Sequence, residues 1–135
     1  MRGKSTTIAC AALVGTCLVA TLAARADEIP AVNPYSGNAK EIREGRSWFM
    51  NVCSVCHGGR ADGAGDRGTA ADLRVFNRGF RGFVYTVKNG KDTGRTMKMP
   101  AWGAVLDDKT IYQIGAFVET LALPGANWKD GVEHQ

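Results

Sequence analysis

Cys53-Ser54-Val55-Cys56-His57 sets two thiols three positions apart and places an imidazole directly behind the second. Thiols at that spacing lie on nearby sides of one helical turn, so both can reach the vinyl groups of a single porphyrin as thioethers. The adjacent histidine is thereby pinned against the iron as its proximal ligand, whose identity helps set reactivity and potential. The pentad therefore predicts one covalently attached haem c, anchored by Cys53 and Cys56 and ligated by His57. A zinc ribbon would need a second thiol pair, and a thioredoxin-like dithiol would need a βαβ setting. Neither is found nearby.

A haem held through one histidine leaves one axial position to fill, and its occupancy divides electron carriers from proteins that bind or activate small ligands. The candidates beyond the N-terminal segment are Met50, Met97, Met99 and His134. Met50 lies on the helix that leads into the thioethers, on the wrong side to reach the opposite haem face. His134 is next to the C-terminus, where a solvated side chain is the rule. Met97 and Met99 follow a helix and have enough chain to return to the other face. Met99 is favoured, because Pro100 stiffens the backbone beside it and Trp102 can pack against the porphyrin to hold the loop shut. Met97 is the alternative, and packing is its ordinary role. Thioether sulfur is a soft, neutral donor that favours ferrous iron and raises the potential.

The elements that must position these groups are helical. A first helix runs from about Ala39 into the pentad, with Asn38 as N-cap. Ile42, Phe49 and Val52, with Gly45 and Trp48, lie on one face. Glycine costs helix propensity, so a close helix–helix contact is the reason expected for Gly45. After His57 comes a loop with Gly58, Gly59, Gly63, Gly65 and Gly68, too rich in glycine for a helix and without strand alternation. A second helix is predicted over Arg78–Asn89. There Phe80, Phe83, Val84 and Val87 recur at helical spacing and Gly90 follows as the C-terminal stop. Gly94–Gly103 reads as an extended loop. The last helix starts near Asp107 or Asp108, carries Ile111, Ile114, Gly115, Val118 and Leu121, and ends before Pro124-Gly125. The tail from Ala126 is expected either to wrap the surface or to be mobile.

Residues 1–26 read as a cleaved export signal: Arg2 and Lys4, an apolar run from Ile8 to Ala23, and a small-x-small site at Ala24-Arg25-Ala26. The run is short for a membrane span, which takes ~20 residues, so no stable insertion is expected. The formal charge of +4 includes Arg2, Lys4 and Arg25, so the remaining fourteen basic residues nearly balance thirteen acidic ones. A nucleic-acid partner thus has little support. Residues 27–135 form one small domain, with only Cys53 and Cys56 as thiols and none spare for a structural disulfide. From Arg60 to Lys98 nine basic residues face four acidic ones, which allows either a docking face or an ordinary solvated one.

Together the Gly45 and Phe49 helix, Cys53-x-x-Cys56-His57-Gly58, the glycine loop, Asn89-Gly90-Lys91, Met99-Pro100-Ala101-Trp102 and Ala116-Phe117-Val118 resemble a class I cytochrome c. The resemblance implies a small all-α fold of three to five helices around one covalently bound haem with one edge exposed. It also implies that the first and last helices cross closely, with Gly45 and Phe117 at the matching positions. One departure stands out. Such proteins commonly carry Gly-Pro after the glycine loop, and that proline's carbonyl accepts the Nδ1 proton of the ligand histidine. Gly65-Asp66-Arg67-Gly68-Thr69 has no proline, which leaves the acceptor for His57 open. Arg78, Arg81, Tyr85 and Trp102 are the candidates for propionate partners. The arm Asn33-Pro34-Tyr35-Ser36-Gly37-Asn38 leading to Ile42-x-x-Gly45 is similar to small periplasmic cytochromes that accept electrons from quinoprotein (PQQ-dependent) methanol or alcohol dehydrogenases.

The function expected is a soluble, monomeric periplasmic carrier of one electron at a time. Its donor would be such a dehydrogenase and its acceptor a terminal oxidase or another cytochrome. No substrate is transformed, so no enzyme is expected. The alternatives are a haem enzyme or small-ligand sensor with an open or labile distal site, and a haem-free thiol oxidoreductase using Cys53 and Cys56.

Overall fold

The computed structural model describes residues 28–94 and 97–130. The expected export signal and His134 lie outside them. Helix α1 spans Ala39–Trp48 and starts where Asn38 stands in extended backbone, its side-chain oxygen accepting from the Lys40 and Glu41 amides. Such a cap satisfies donors that the first turn leaves free. Helix α4 spans Asp108–Glu119, capped by Asp107, whose carboxylate accepts from the Thr110 amide at 2.8 Å. It stops short of Leu121, which lies in the following turn.

Gly45 decides how α1 meets α4. A Cβ at that position would stand 1.8 Å from the Gln113 carbonyl oxygen and 2.9 Å from the Ile114 nitrogen. Only hydrogen fits there, so the two helices cross backbone to backbone, as expected. One turn on, Phe49 is fully buried and its ring meets Phe117 of α4 at 5.4 Å. Trp48 departs from expectation. It is 41% exposed, because α4 covers the Gly45–Phe49 side of the helix and leaves Trp48 outside.

The helix does not run unbroken into the thiols. Phe49–Cys53 widen into a π-turn, and Ser54–His57 resume as the short helix α2. Within and after the wide turn, Asn51 Nδ2 and Ser54 Oγ donate to the Ser47 and Met50 carbonyls at 2.8 and 2.6 Å. Single π-turns of this kind insert into α-helices and recur at functional sites.

Helix α3 spans Gly79–Asn89, buries Phe80, Phe83, Val84 and Val87, and ends at Gly90 with φ of 72°. No side chain of its own caps the start. Asp130, far along the chain, does so instead, its carboxylate accepting from the Arg81 amide at 2.9 Å. As far as Asp130, the tail therefore wraps. Asn127 accepts from the Gly79 amide and donates to the Phe76 carbonyl, and the Asp130 amide reaches Ala31. Trp128 is buried with ring contacts of 5.2 Å to both Phe76 and Phe83. The N-terminal arm is held by buried Asn33, which donates to the Tyr112 carbonyl at 2.8 Å and accepts from the Tyr35 amide.

One core joins these parts, with Phe49, Phe80, Val84, Ile111, Ile114 and Val118 fully buried. The glycine loop corrects a second expectation. It holds a two-residue antiparallel hairpin, β1 at Ala64–Gly65 and β2 at Gly68–Thr69. A 3₁₀ turn follows at Leu73–Val75. Among the described residues no helix is long and apolar enough to cross a membrane.

Candidate haem site

Glycine lets the loop after His57 fold back on the pentad. A Cβ on Gly65 would come within 2.5 Å of the Cys56 and Val55 carbonyl groups, so β1 lies flat against α2. Gly58 has φ of 75° and ends α2, and the Gly63 amide then donates to the His57 carbonyl at 2.8 Å. The Arg67 amide donates to the Val55 carbonyl at 3.0 Å. The pentad is thus clasped between the wide turn before it and the hairpin after it.

Cys53 and Cys56 are both partly buried, and neither is in a disulfide. Burial, and then the second thiol beside it, push the Cys53 thiol up to about 12. At neutral pH that thiol keeps its proton, unlike the lowered thiols of dithiol redox enzymes.

His57 Nδ1 lies 3.0 Å from the carbonyl oxygen of Ala71. A carbonyl can only accept, so Nδ1 carries a proton, and in the neutral ring the lone pair a metal-binding imidazole needs then falls on Nε2. The acceptor left open by the missing proline is therefore Ala71, two residues beyond the stretch where it was sought. No sequence signal marks a backbone carbonyl.

Met99 and Met97 are treated differently. Met99 is partly buried and packs against the core, whereas Met97 is 51% exposed. Met99 also exchanges both backbone hydrogen bonds with Lys91, at 3.0 and 3.1 Å. Just before Lys91, a Cβ on Gly90 would stand 2.5 Å from the Met99 carbonyl oxygen. The Trp102 and Gly103 amides donate to the Val87 and Lys88 carbonyls, so the loop both ends α3 and is anchored by it. Trp102 packs against the core. Met50 lies beside Gly59 and is 41% exposed.

The propionate candidates are mostly engaged elsewhere. Arg78 donates to Thr86 Oγ1 at 2.8 Å and stacks over Phe76. Arg81 donates to the Ile29 carbonyl at 2.8 Å and pairs with Glu28. Tyr85 is 65% exposed. The basic stretch is also largely neutralised in place. Arg60 pairs with Asp62, Arg74 with Asp72, Arg81 with Glu28, Lys88 with Asp108 and Lys98 with Asp92. Arg67, Arg78 and Lys91 have no ion pair among the described residues.

The family described as cytochrome C oxidase, cbb3-type, subunit III matches residues 40–118, from the first turn of α1 almost to the end of α4. The chain belongs to this family. It is a class I c-type cytochrome with the all-α cytochrome c fold, an electron carrier whose cofactor is covalently bound haem c. Among curated proteins, this cytochrome is 30% identical over 99 residues to the cbb3-type cytochrome c oxidase subunit CcoP of Azospirillum sp. strain B510. It is 31% identical over 99 residues to CcoP of Azospirillum brasilense. Those alignments cover 70% and 71% of this chain but only 33% and 34% of the relatives, so the cytochrome spans about a third of their length. A solved structure, cytochrome CL from the marine methylotroph Methylophaga aminisulfidivorans, superposes with a TM-score of 0.52 at 24% identity. That match covers 76% of this chain and 72% of the other, and it speaks for the shared fold.

The residues present fit haem c. Two thiols free of any disulfide, an imidazole whose Nδ1 bonds to the Ala71 carbonyl, and a core-packed thioether are groups of the kinds that attach and ligate such a haem.

Proposed function

We propose that this cytochrome is a soluble periplasmic one-electron carrier, exported by a signal over residues 1–26 and working as the single domain 27–135. Cys53 and Cys56 anchor one haem, and His57 and Met99 hold its iron. The haem supplies the reversible ferrous–ferric couple. The chain supplies a fixed tautomer at His57, a pinned backbone at Met99 and a surrounding apolar core. With both axial positions filled, iron can change oxidation state with little reorganisation, which suits transfer of electrons rather than transformation of a substrate. The observation that carries this reading is the Met99 loop, tied to Lys91 and to the end of α3, because it favours a closed distal site over a ligand-binding one.

The donor we infer is a quinoprotein alcohol dehydrogenase, on the likeness of the Asn33–Asn38 arm to cytochromes of such systems. The acceptor is a terminal oxidase or another cytochrome. A second reading is favoured by the CcoP relatives: electron delivery within a cbb3-type oxidase assembly.

The first test is the absorption spectrum of the purified, exported protein, oxidised and reduced. A low-spin c-type spectrum with the weak long-wavelength iron–sulfur band is expected. A high-spin spectrum that takes up carbon monoxide or cyanide rapidly would replace the carrier by the ligand-binding alternative. Rapid reduction by a quinoprotein alcohol dehydrogenase and isolation without oxidase subunits would favour the free carrier. Co-purification with a cbb3-type oxidase, with no reduction by the dehydrogenase, would favour the second reading.

A further inference from the structure

The carbonyl that accepts from His57 belongs to Ala71, an exposed residue whose own side chain cannot hold it in place. Where similar cytochromes use a proline, rigidity here must come from the neighbours. Asp72 and Arg74 form a fork directly after that carbonyl. Asp72 Oδ1 accepts from both the Arg74 amide and Arg74 Nε at 2.9 Å, and Asp72 Oδ2 accepts from Arg74 Nη2 at 2.8 Å. This three-bond clip closes the 3₁₀ turn Leu73–Val75, with Asp72 as its N-cap. Both side chains are 31% exposed, so the pair is partly shielded from water.

The clip is fixed at both ends. The Leu73 amide donates to the Ala61 carbonyl at 2.8 Å, and the Arg74 carbonyl accepts from Leu123 of the tail at 2.8 Å. On the inner side, a Cβ on Gly63 would stand 2.6 Å from the Ala70 carbonyl oxygen and 3.2 Å from the Asp72 nitrogen. The backbone of residues 70–72 is therefore pressed by the glycine loop and clamped by the fork.

We propose that Asp72 and Arg74 are positioning residues for the axial histidine, holding the Ala71 carbonyl on the His57 Nδ1 proton. The inference rests on His57 being the iron ligand. A planar guanidinium gives two parallel bonds of fixed direction, which lysine cannot reproduce. A firm acceptor on Nδ1 makes the imidazole a stronger donor and favours ferric iron, so the clip lowers the reduction potential.

The test compares wild-type holoprotein with Arg74→Lys and Asp72→Asn, and with Arg60→Gln, which removes the exposed Arg60 partner of Asp62 in the same loop. Ligation is read first, from the paramagnetically shifted imidazole resonances of His57 in the oxidised wild type; their absence overturns the ligand reading and the proposal with it. With ligation present, the readouts are solvent exchange of the His57 Nδ1 proton in the reduced protein and the reduction potential. Arg74→Lys should speed exchange up to ~5-fold, the ratio available from a part-exposed ion pair, and shift the potential upward. Arg60→Gln should leave both at wild-type values. Unchanged exchange and potential in Arg74→Lys, with the low-spin spectrum intact, overturns the clip alone. If Arg74→Lys yields no holoprotein, Asp72→Asn is read by the same two measurements.

Discussion

Met97 and Met99 have the same side chain and lie two positions apart, yet only Met99 packs against the core with its backbone paired to Lys91. Met99→Ala should therefore abolish the long-wavelength iron–sulfur band, lower the reduction potential and open the iron to carbon monoxide. Met97→Ala should leave all three unchanged. The reverse pattern would transfer the ligand role to Met97. For His57 the sequence supplied the ring and the structure supplied its tautomer, through one backbone oxygen. The pentad was legible because its chemistry lies within five consecutive residues. The Ala71 carbonyl was not, because every residue carries one and only folding selects which points at the ring.

Between elements, the α1–α4 crossing depends on a missing methyl group. Gly45→Ala would gain up to ~1 kcal/mol of helix propensity. The new Cβ, however, would overlap the Gln113 carbonyl, and backbone cannot yield as a flexible side chain can. A net loss of about 2 kcal/mol is expected, roughly 10 °C in Tm by circular dichroism. A Tm equal to or above wild type would refute the close crossing. Asp107 makes a second prediction. Its bonds to Thr110, at the start of α4, hold its carboxyl below the usual carboxylate range. Asp72, beside Arg74, is held low in the same direction. A folded pKa below the unfolded value of ~3.9 gives stability that is present above that value and lost as pH falls through the lower one. Stability should thus be flat with respect to these groups near neutrality and fall on acidification below about pH 4. Asp107→Asn, which keeps a capping oxygen without the ionisation, should flatten that decline, as followed by urea unfolding at several pH values. An unchanged acid slope would show that other groups govern it.

For the whole molecule, the two ends of the described chain close the core. Trp128 fills the space between Phe76 and Phe83, Asp130 caps α3, and the Asp130 amide reaches back to Ala31 of the arm. Trp128→Ala should cost about 3 kcal/mol, since a large ring would leave a cavity that a short tail only partly refills. Denaturant unfolding of the holoprotein measures this, and a loss below ~0.5 kcal/mol, the usual range for surface changes, would mean that the tail is dispensable. Charge is also settled at this scale. Of the nine basic residues scattered from Arg60 to Lys98, five form ion pairs among the described residues, three with acids inside that segment and two with Glu28 and Asp108 outside it.

Resemblance to class I cytochromes c implied the class of fold, while the sequence by itself marked the pentad and the helices over Ala39–Trp48, Gly79–Asn89 and Asp108–Glu119 to within a few residues. These rest on local signals: side-chain type, 3.6-residue periodicity, and caps at Asn38, Gly90 and Asp107. The tertiary structure alone decided the wide turn at Phe49–Cys53, the Ala71 acceptor, the cap that Asp130 lends to α3, and which methionine packs inward. Each of these joins groups distant in sequence or depends on a backbone atom common to all residues, so it exists only once the chain has closed on itself.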